Sequence, residues 1–410
     1  MNPLALLAEH APGGPPFHRR RVFRWELRLD RDGRVVDLAD HLENPLTLFA
    51  PSVKRTVGII AQPACDTAGY TFGTGARGEK CKAAAAAQAI AWADSTGDPA
   101  AVAVARFHAS GARPPLPETL QRDQNVLITV DGTPACLSPS AAGFWSAVVE
   151  RQKGVGTWGL CIVCAGSGPL TRTMPDSVPA SLLPGATAPA VLCLAEDLAQ
   201  APICLPCADA ATSGLSRALA DERRSVCCPG SRSRTAWWIT GAAGDTVDPM
   251  QAVMYPDRDR VGMLMDGEVD VPDGARFRAI TVSGNVSRIS IREVVDMPLS
   301  LLVDRVAQWF ADMSTDTVFP DDHPWPQFAG MLAVLGRWDG RRYQNPRVPA
   351  DAQELLLRSI IHGDPVAPRL TTHLLRQMRA DGRVSHARVA VLQAHDRRAA
   401  SSRQPEQAVH

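Results

Sequence analysis

Two cysteine pairs share one internal spacing, Cys161-x-x-Cys164 and Cys204-x-x-Cys207. Two such pairs can put four thiolates at the corners of a tetrahedron, the geometry zinc takes in structural sites. The pairs stand further apart than in a compact finger, so an ion there would staple a long insertion, about 158–230, which holds seven of the ten cysteines. Cys193, Cys227 and Cys228 are alternative ligands. The competing reading is that these cysteines are small buried hydrophobes. A nucleophilic or redox role has less behind it, because neither pair marks a clean strand-to-helix junction and no histidine is near in sequence.

Basic residues supply the second set. Lys54 and Arg55 are adjacent, between Pro51 and Gly58. A loop tip of that composition can enter a groove and touch phosphates or base edges. In ARFRAITVSGNVSRISIREV, residues 275–294, Arg288, Ser290 and Arg292 alternate with Ile289, Ile291 and Glu293. On a strand this sends the isoleucines to one face and the arginines to the other, where they can reach a polyanion. Residues 337–398 hold twelve arginines and six acidic residues, and a helix from Arg369 would carry Arg369 and Arg376 opposite Leu370, Leu374 and Met378. Arg20, Arg21, Arg24, Arg77, Lys80 and Lys82 are further candidates. The competing reading throughout is an ordinary solvated face. Trp237 and Trp238 are core by default, and stacking on a base is the minority reading.

Other chemistry finds little support. HExxH, GxxxxGK[ST] and GxSxG do not occur. The acidic run Asp245, Asp248, Asp257, Asp259, Asp266, Glu268, Asp270 and Asp273 contains no histidine and reads as a polar connection. The chain is therefore read as non-enzymatic.

The elements that must position these groups follow from pattern. Apolar residues are 45% and charged residues 21%, which predicts a folded core. Formal net charge is zero, which argues against a wholly basic coat and leaves local basic patches open. Only four of the 43 basic residues are lysines. No secretory signal or transmembrane-length run is present, so the expected setting is cytoplasmic, with no membrane. Phe23, Trp25, Leu27 and Leu29 alternate with polar residues before Asp32-Gly33, predicting a hairpin over 21–38. Helices are expected from Arg77 to Trp92, Ala100 to Ala109, Phe144 to Gln152 and Leu215 to Glu222, with strands at 125–132 and 234–240. The stretch 275–294 reads as a hairpin turning at Ser283-Gly284-Asn285. From Leu299 the period becomes helical, with Leu301, Leu302, Val306, Trp309 and Phe310 as a stripe. Further helices are expected near 328–337, 352–361, 369–379 and 385–398. The fold class is α+β: an irregular mixed and antiparallel-sheet body over 1–298, then a helical module over 299–410.

Several segments together resemble the large subunit of the subtype I-C CRISPR surveillance complex (Cascade). VKRTVGIIAQPACDTAGYTFG, 53–73, is similar to a family pattern met here by Lys54, Arg55, Gly58, Asp66, Tyr70 and Gly73. GLCIVCAGSGPLTRTMP, 159–175, carries Cys161 at the family's cysteine. RTAWWI, 234–239, corresponds to a late apolar strand. VSGNVSRISIREV, 282–294, matches at Asn285, Arg288, Ser290 and Arg292, with Gly284 in place of a proline. LLRSIIHGDPVAP, 356–368, matches at Leu356, Leu357, Arg358, Ile360, Gly363 and Pro365, and Arg388 holds a later arginine position. The motifs run in the family's order over about 20–395.

The resemblance implies a non-catalytic subunit whose body, 1–298, meets the protospacer-adjacent motif (PAM) on target double-stranded DNA, helps open the R-loop and offers a landing surface for a helicase-nuclease. Its partners would be the crRNA-bound backbone and end-cap subunits of Cascade. Lys54, Arg55, Arg288, Arg292, Arg369 and Arg376 are the expected DNA-binding residues, and Cys161, Cys164, Cys204 and Cys207 the expected zinc ligands. Relative to the family the helical module is expected to be shortened, with a separate small subunit replacing what it lacks. Cys204-x-x-Cys207 replaces a short polar segment of many relatives. The alternatives are a zinc-stapled protein-interaction subunit without direct DNA contact and, with least support, a cysteine- or metal-dependent hydrolase.

Overall fold

The computed structural model describes residues 2–53, 55, 59–153, 157–171, 174–192, 202–242, 246–315, 324–344 and 348–403. Lys54, Cys193 and Asp245 lie outside them. The described chain is α+β, and its contacts divide it into two compact units. One, here the N-terminal unit, comprises Asn2–Ser177 and Ala195–Gly214; the C-terminal unit comprises Val178–Leu194 and Leu215–His410. Residues 298 and 299 both belong to the latter.

In the N-terminal unit, α1 (Pro3–Glu9) starts at Asn2, whose side chain accepts the Leu4 N–H at 3.0 Å. The alternating stretch after it is divided between two sheets. β1 (His18–Phe23) pairs antiparallel with β4 (Leu46–Pro51), whereas β2 (Trp25–Leu29) forms the expected hairpin with β3 (Val35–Asp40). Gly33 turns that hairpin at φ 80°, and a Cβ there would come within 2.3 Å of the Ala103 carbonyl. β2 also runs parallel to β6 (Asn125–Val130), which pairs antiparallel with β5 (Cys65–Thr67) and with β7 (Thr133–Pro134). A parallel neighbour requires a long crossover. It contains α2 (Ala68–Phe72), the alanine-rich α3 (Gly78–Thr96) and α4 (Pro99–Ser110), which Asp98 caps by accepting the Ala100 N–H at 2.9 Å. With α5 (Ala141–Lys153) these cover one core around Trp25, Leu27, Trp92, Leu127 and Trp145. A small ribbon follows, β8 (Trp158–Leu160) against β9 (Ser167–Pro169), and then the start of α6 (Leu205–Ala220).

The C-terminal unit is built on a sheet ordered β10 (Ala186–Leu192), β13 (Arg276–Pro298), β12 (Arg234–Thr240), β11 (Ser225–Val226). β12 has the expected bounds. Trp237 and Trp238 are both buried, and Trp237 Nε1 donates to Asp248 at 3.1 Å, so neither ring offers a face to a base. The connection after β12 is more ordered than its acidic composition suggests. Asp248 accepts the Met250 N–H and caps α7 (Pro249–Met254); Asp257 accepts the Arg260 N–H and caps α8 (Arg258–Met265).

β13 is the expected hairpin. Its 23 residues, if straight, would put their ends roughly 75 Å apart. Instead Leu299 N–H donates to Ala275 O at 2.9 Å, Arg276 pairs with Asp296 at 2.6 Å and Arg292 Nε donates to Ser283 Oγ at 2.9 Å. These pairs centre near Ser287, slightly beyond the expected Ser283-Gly284-Asn285 turn, and Val286 there has φ 55°. α9 (Leu299–Met313) packs Leu302, Val306, Trp309 and Phe310 into the second core, while Leu301 is exposed. α10 (Phe328–Ala333), α11 (Ala352–His362), α12 (Pro368–Asp381) and α13 (His386–Arg403) follow, with a two-residue ladder, β14 (Arg337–Trp338) and β15 (Tyr343–Gln344), among them.

Candidate functional site

The ribbon turn carries the first cysteine pair. Cys161 N–H donates to Gly166 O at 3.0 Å and Ala165 N–H to Cys161 O at 2.9 Å, with Ala165 at φ 56°. The second pair occupies an isolated bridge, Leu170 to Cys204, and the first turn of α6. That is a strand-to-helix junction, which the sequence reading did not place because it began this helix at Leu215. Ile162 N–H to Pro202 O and Thr171 N–H to Ile203 O, both 2.9 Å, hold the two segments together. As a result the Sγ atoms of Cys161, Cys164, Cys204 and Cys207 all lie within 4.8 Å of one another. Zinc–sulfur bonds of about 2.3 Å in a tetrahedron place sulfurs roughly 3.8 Å apart, so the cluster can bind such an ion. The N–H groups of Val163 and Cys204 point at Cys161 Sγ, at 3.4 and 3.3 Å. Burial opposes the Cys161 thiolate, but the N–H groups of Cys204, Cys164 and Val163 together outweigh it and bring the thiol down to about 6. Burial pushes the Cys204 and Cys207 thiols up. Cys227 and Cys228 are not members of the cluster.

The Arg55 loop resolves into a local lock. Asp66, 4% exposed on β5, accepts Arg55 Nη2 at 2.5 Å together with the N–H groups of Gln62 and Thr67 at 2.8 and 2.7 Å. The Arg55 guanidinium also lies over the Tyr70 ring, 4.2 Å from its centroid. Three residues of the 53–73 pattern thus touch one another. Arg55 is a half-buried anchor here rather than a free fingertip. Arg21, another candidate, is turned inward to Asn125 Oδ1 at 2.6 Å and Pro51 O at 3.0 Å, and Arg24 pairs with Asp40 at 2.7 Å.

In the C-terminal unit the expected arginines remain on the surface. Arg288, Ser290 and Arg292 are exposed and Ile289 is fully buried, as the alternation requires. Gly284, where the family resemblance has proline, lies against β10: a Cβ there would come within 2.8 Å of Ala186 N and 2.9 Å of Pro184 O. On α12, Arg369 and Arg376 are exposed opposite buried Leu370 and Leu374.

The structure brings Arg292 and Arg369 into one cleft of about 490 Å³ with Arg232, Arg358, Asp351 and Glu354. Arg232 and Arg358 were not among the expected contacts. Arg358 fell within a recognised motif, so a signal existed for it; Arg232 had none. Arg358 Nε lies 3.2 Å from Glu293 Oε1, and Arg369 pairs with Asp351. All four arginines are exposed, and against the two carboxylates of the lining they leave two positive charges in excess, one of which is met by Glu293 just outside the lining. Guanidinium groups presented this way suit phosphate oxygens, to which they can donate two parallel hydrogen bonds. Arg376 and Arg288 are not part of the cleft lining.

Arg388, also within a recognised motif, has a different position. It is fully buried, donating to both oxygens of Asp381 at 2.8 and 2.9 Å and to the carbonyls of Val334, Gly336 and Arg383. Arg388 and the N–H groups of Trp338 and Arg383 hold the Asp381 carboxyl well below the usual range, against the effect of burial. This arginine is structural.

No curated protein matches the chain. The sequence model of one family, CRISPR-associated protein (Cas_Csd1), matches residues 5–410, nearly its whole length, and the chain belongs to that family.

Proposed function

We propose that this Cascade-type subunit is the large subunit of a subtype I-C surveillance complex and that its work is binding, not catalysis. The guide RNA reads the target by base pairing, and the protein reads only a short duplex element and grips backbone. In this reading Lys54 and Arg55 meet the protospacer-adjacent motif of target double-stranded DNA, with Arg55 fixed by Asp66 and Tyr70. Arg292 and Arg369, with Arg232 and Arg358, take phosphates in the cleft, while Arg288 and Arg376 add to the same basic surface. The partners are the crRNA-bound backbone and end-cap subunits, a separate small subunit, and a helicase-nuclease recruited to the opened R-loop. Zinc, as a structural group, is the ion for the four-cysteine cluster. The expected location is the cytoplasm; no described helix is long and apolar enough to cross a membrane.

The observation that carries the nucleic-acid part is the convergence of Arg292 and Arg369, 77 residues apart in sequence, on one exposed arginine cleft. The test is to assemble the complex with guide RNA and reverse the charges at Lys54 and Arg55, or at Arg292 and Arg369. Loss of target binding with intact assembly is expected; unchanged binding in both variants refutes the assignment. Cleavage of DNA by the purified chain alone would refute the non-catalytic part.

One feature favours a second reading, a zinc-stapled protein-interaction subunit. On β8 and just beyond it Trp158, Leu160 and Ile162, at alternate positions, are 76%, 67% and 44% exposed. A Trp158→Ala, Leu160→Ala chain that no longer co-purifies with its partner subunits, while the arginine variants bind DNA normally, would favour it.

A further inference from the structure

The four-cysteine cluster lies on a part of the N-terminal unit with little regular structure of its own. β8 and β9 are three residues each. A two-stranded ribbon that short has no independent stability. It also buries few of its own apolar groups, since Trp158, Leu160 and Ile162 face solvent while Cys161 is 2% exposed. The start of α6 is anchored by contrast. Leu205 belongs to the unit's core, and Asp209, 4% exposed, accepts the Phe17 N–H at 2.7 Å and Arg19 Nη2 at 2.6 Å. Among the described residues, the backbone hydrogen bonds between ribbon and helix are those of Ile162 and Thr171 to Pro202 and Ile203. Among the described residues, with Asn2 Nδ2 also donating to Ile162 O at 2.7 Å, the cysteines are the most concentrated set of groups bridging a segment that cannot hold itself and a helix end that is already fixed.

We infer that zinc is the folding partner of this ribbon: ion binding by Cys161, Cys164, Cys204 and Cys207, rather than apolar burial, docks β8–β9 onto the first turn of α6. The inference rests on the zinc reading above and adds what the ion does. Four sulfur–zinc bonds form, the thiols release their protons to solvent, and no electrons are transferred. The resulting tetrathiolate carries net negative charge beside the N-terminal end of a 16-residue helix, where the peptide dipoles favour it. The Val163 and Cys204 N–H groups already point at Cys161 sulfur. An ion bound only in the folded arrangement lends its binding free energy to that arrangement. The exposed row Trp158, Leu160 and Ile162 is then held out by metal.

The test uses the full chain purified under reducing conditions, with zinc measured by elemental mass spectrometry and local order by hydrogen exchange. About one zinc per chain is expected. Chelation should raise exchange in peptides covering 158–171 and 202–212 by at least about tenfold, leave β2 and β12 unchanged, and be reversed by added zinc. Cys161→Ser with Cys204→Ser should lose the ion and give the same local pattern, whereas Cys81→Ser, outside the cluster, should keep both ion and protection. Exchange reports each segment separately, so a locally disordered variant remains informative. Zinc near zero, or an intact mass showing a disulfide among these cysteines in the reduced preparation, overturns the zinc reading and the inference together. Zinc at full occupancy with exchange in the ribbon unchanged on its removal overturns the inference alone.

Discussion

The arginine cleft of the C-terminal unit makes a quantitative prediction whose sign can be checked in both directions. Its lining holds Arg232, Arg292, Arg358 and Arg369 against Asp351 and Glu354, an excess of two positive charges. Arg292→Ala removes one. Arg369→Ala removes another and also unmasks Asp351, its ion-pair partner. If each arginine neutralises one duplex phosphate, each loss lowers the slope of log affinity against log salt by about 0.9, so the double variant loses about 2 in slope. Exposed charge pairs are worth up to about 1 kcal/mol each, which makes the double variant roughly thirtyfold weaker near 0.1 M salt. Asp351→Asn works the other way, raising the excess to three and tightening binding by a few-fold. Fold stability should hardly change in Arg369→Ala, because Arg369 is exposed, whereas Arg292→Ala also removes the hydrogen bond to buried Ser283 and should cost about 1 kcal/mol. The assay is titration of target duplex with the assembled, guide-loaded complex across a salt series, beside denaturant unfolding of each chain. A salt slope equal to that of the unsubstituted complex, or weaker binding by Asp351→Asn, would refute phosphate contact in this cleft.

Three further outcomes follow from the internal ion pairs. Arg388→Met leaves Asp381 buried without its partner and should cost about 3–5 kcal/mol in denaturant unfolding; a loss below about 1 kcal/mol would show that the pair is dispensable. The Asp381 carboxyl is held below its ordinary value when folded, so its stabilisation is full above the unfolded value of about 4 and falls away as pH drops below it. Unfolding midpoints followed from pH 7 downward should therefore decline more steeply in the unsubstituted chain than in Arg388→Met, and parallel declines would contradict this. Asp66→Asn keeps the volume but removes the charge that fixes Arg55; a stability loss of about 1–3 kcal/mol is expected, with several-fold poorer discrimination between targets with and without the correct flanking motif. Unaltered discrimination in a complex that assembles normally would separate the Arg55 lock from recognition.

Legibility in the sequence followed the range of the interactions. The β2–β3 and β13 hairpins were legible because alternation over five or more residues reports directly which face is buried, and β12 because a short apolar run between polar residues reads as a strand buried on both faces. The α6 start was not. Cys204-Leu-Pro-Cys207 read as a metal loop, although a proline is tolerated in the first helical turn, where its missing N–H is no loss. The stretch 241–274 was misjudged for a related reason. Its aspartates were weighed as net charge, yet Asp248 and Asp257 act as single acceptors for the free N–H groups at the starts of α7 and α8. The four-cysteine cluster was legible as composition and spacing, and its closure depended on the bridge between Leu170 and Cys204. The cleft was the least legible feature. Arg232, Arg292, Arg358 and Arg369 come from separate segments, and no local period reports which of their side chains converge.

The zero net charge also takes on a different meaning once each arginine is located. Arg19 pairs with Asp176 and Asp209, Arg388 with Asp381, and Arg398 with Asp312, all largely removed from solvent. Arg397 donates to the last carbonyls of α9, those of Ala311 and Asp312, at 2.7 and 2.9 Å. Arg19, Arg388 and Arg398 and the acids they meet cancel inside the fold and contribute little to the field outside it. What a ligand meets is the remainder, and around the cleft of the C-terminal unit that remainder is positive although the whole chain is neutral. A neutral subunit of this kind has little general attraction for polyanions. It can still hold one when an assembly delivers the strand to the right place, which suits the proposed role in a complex whose target is chosen by a guide RNA.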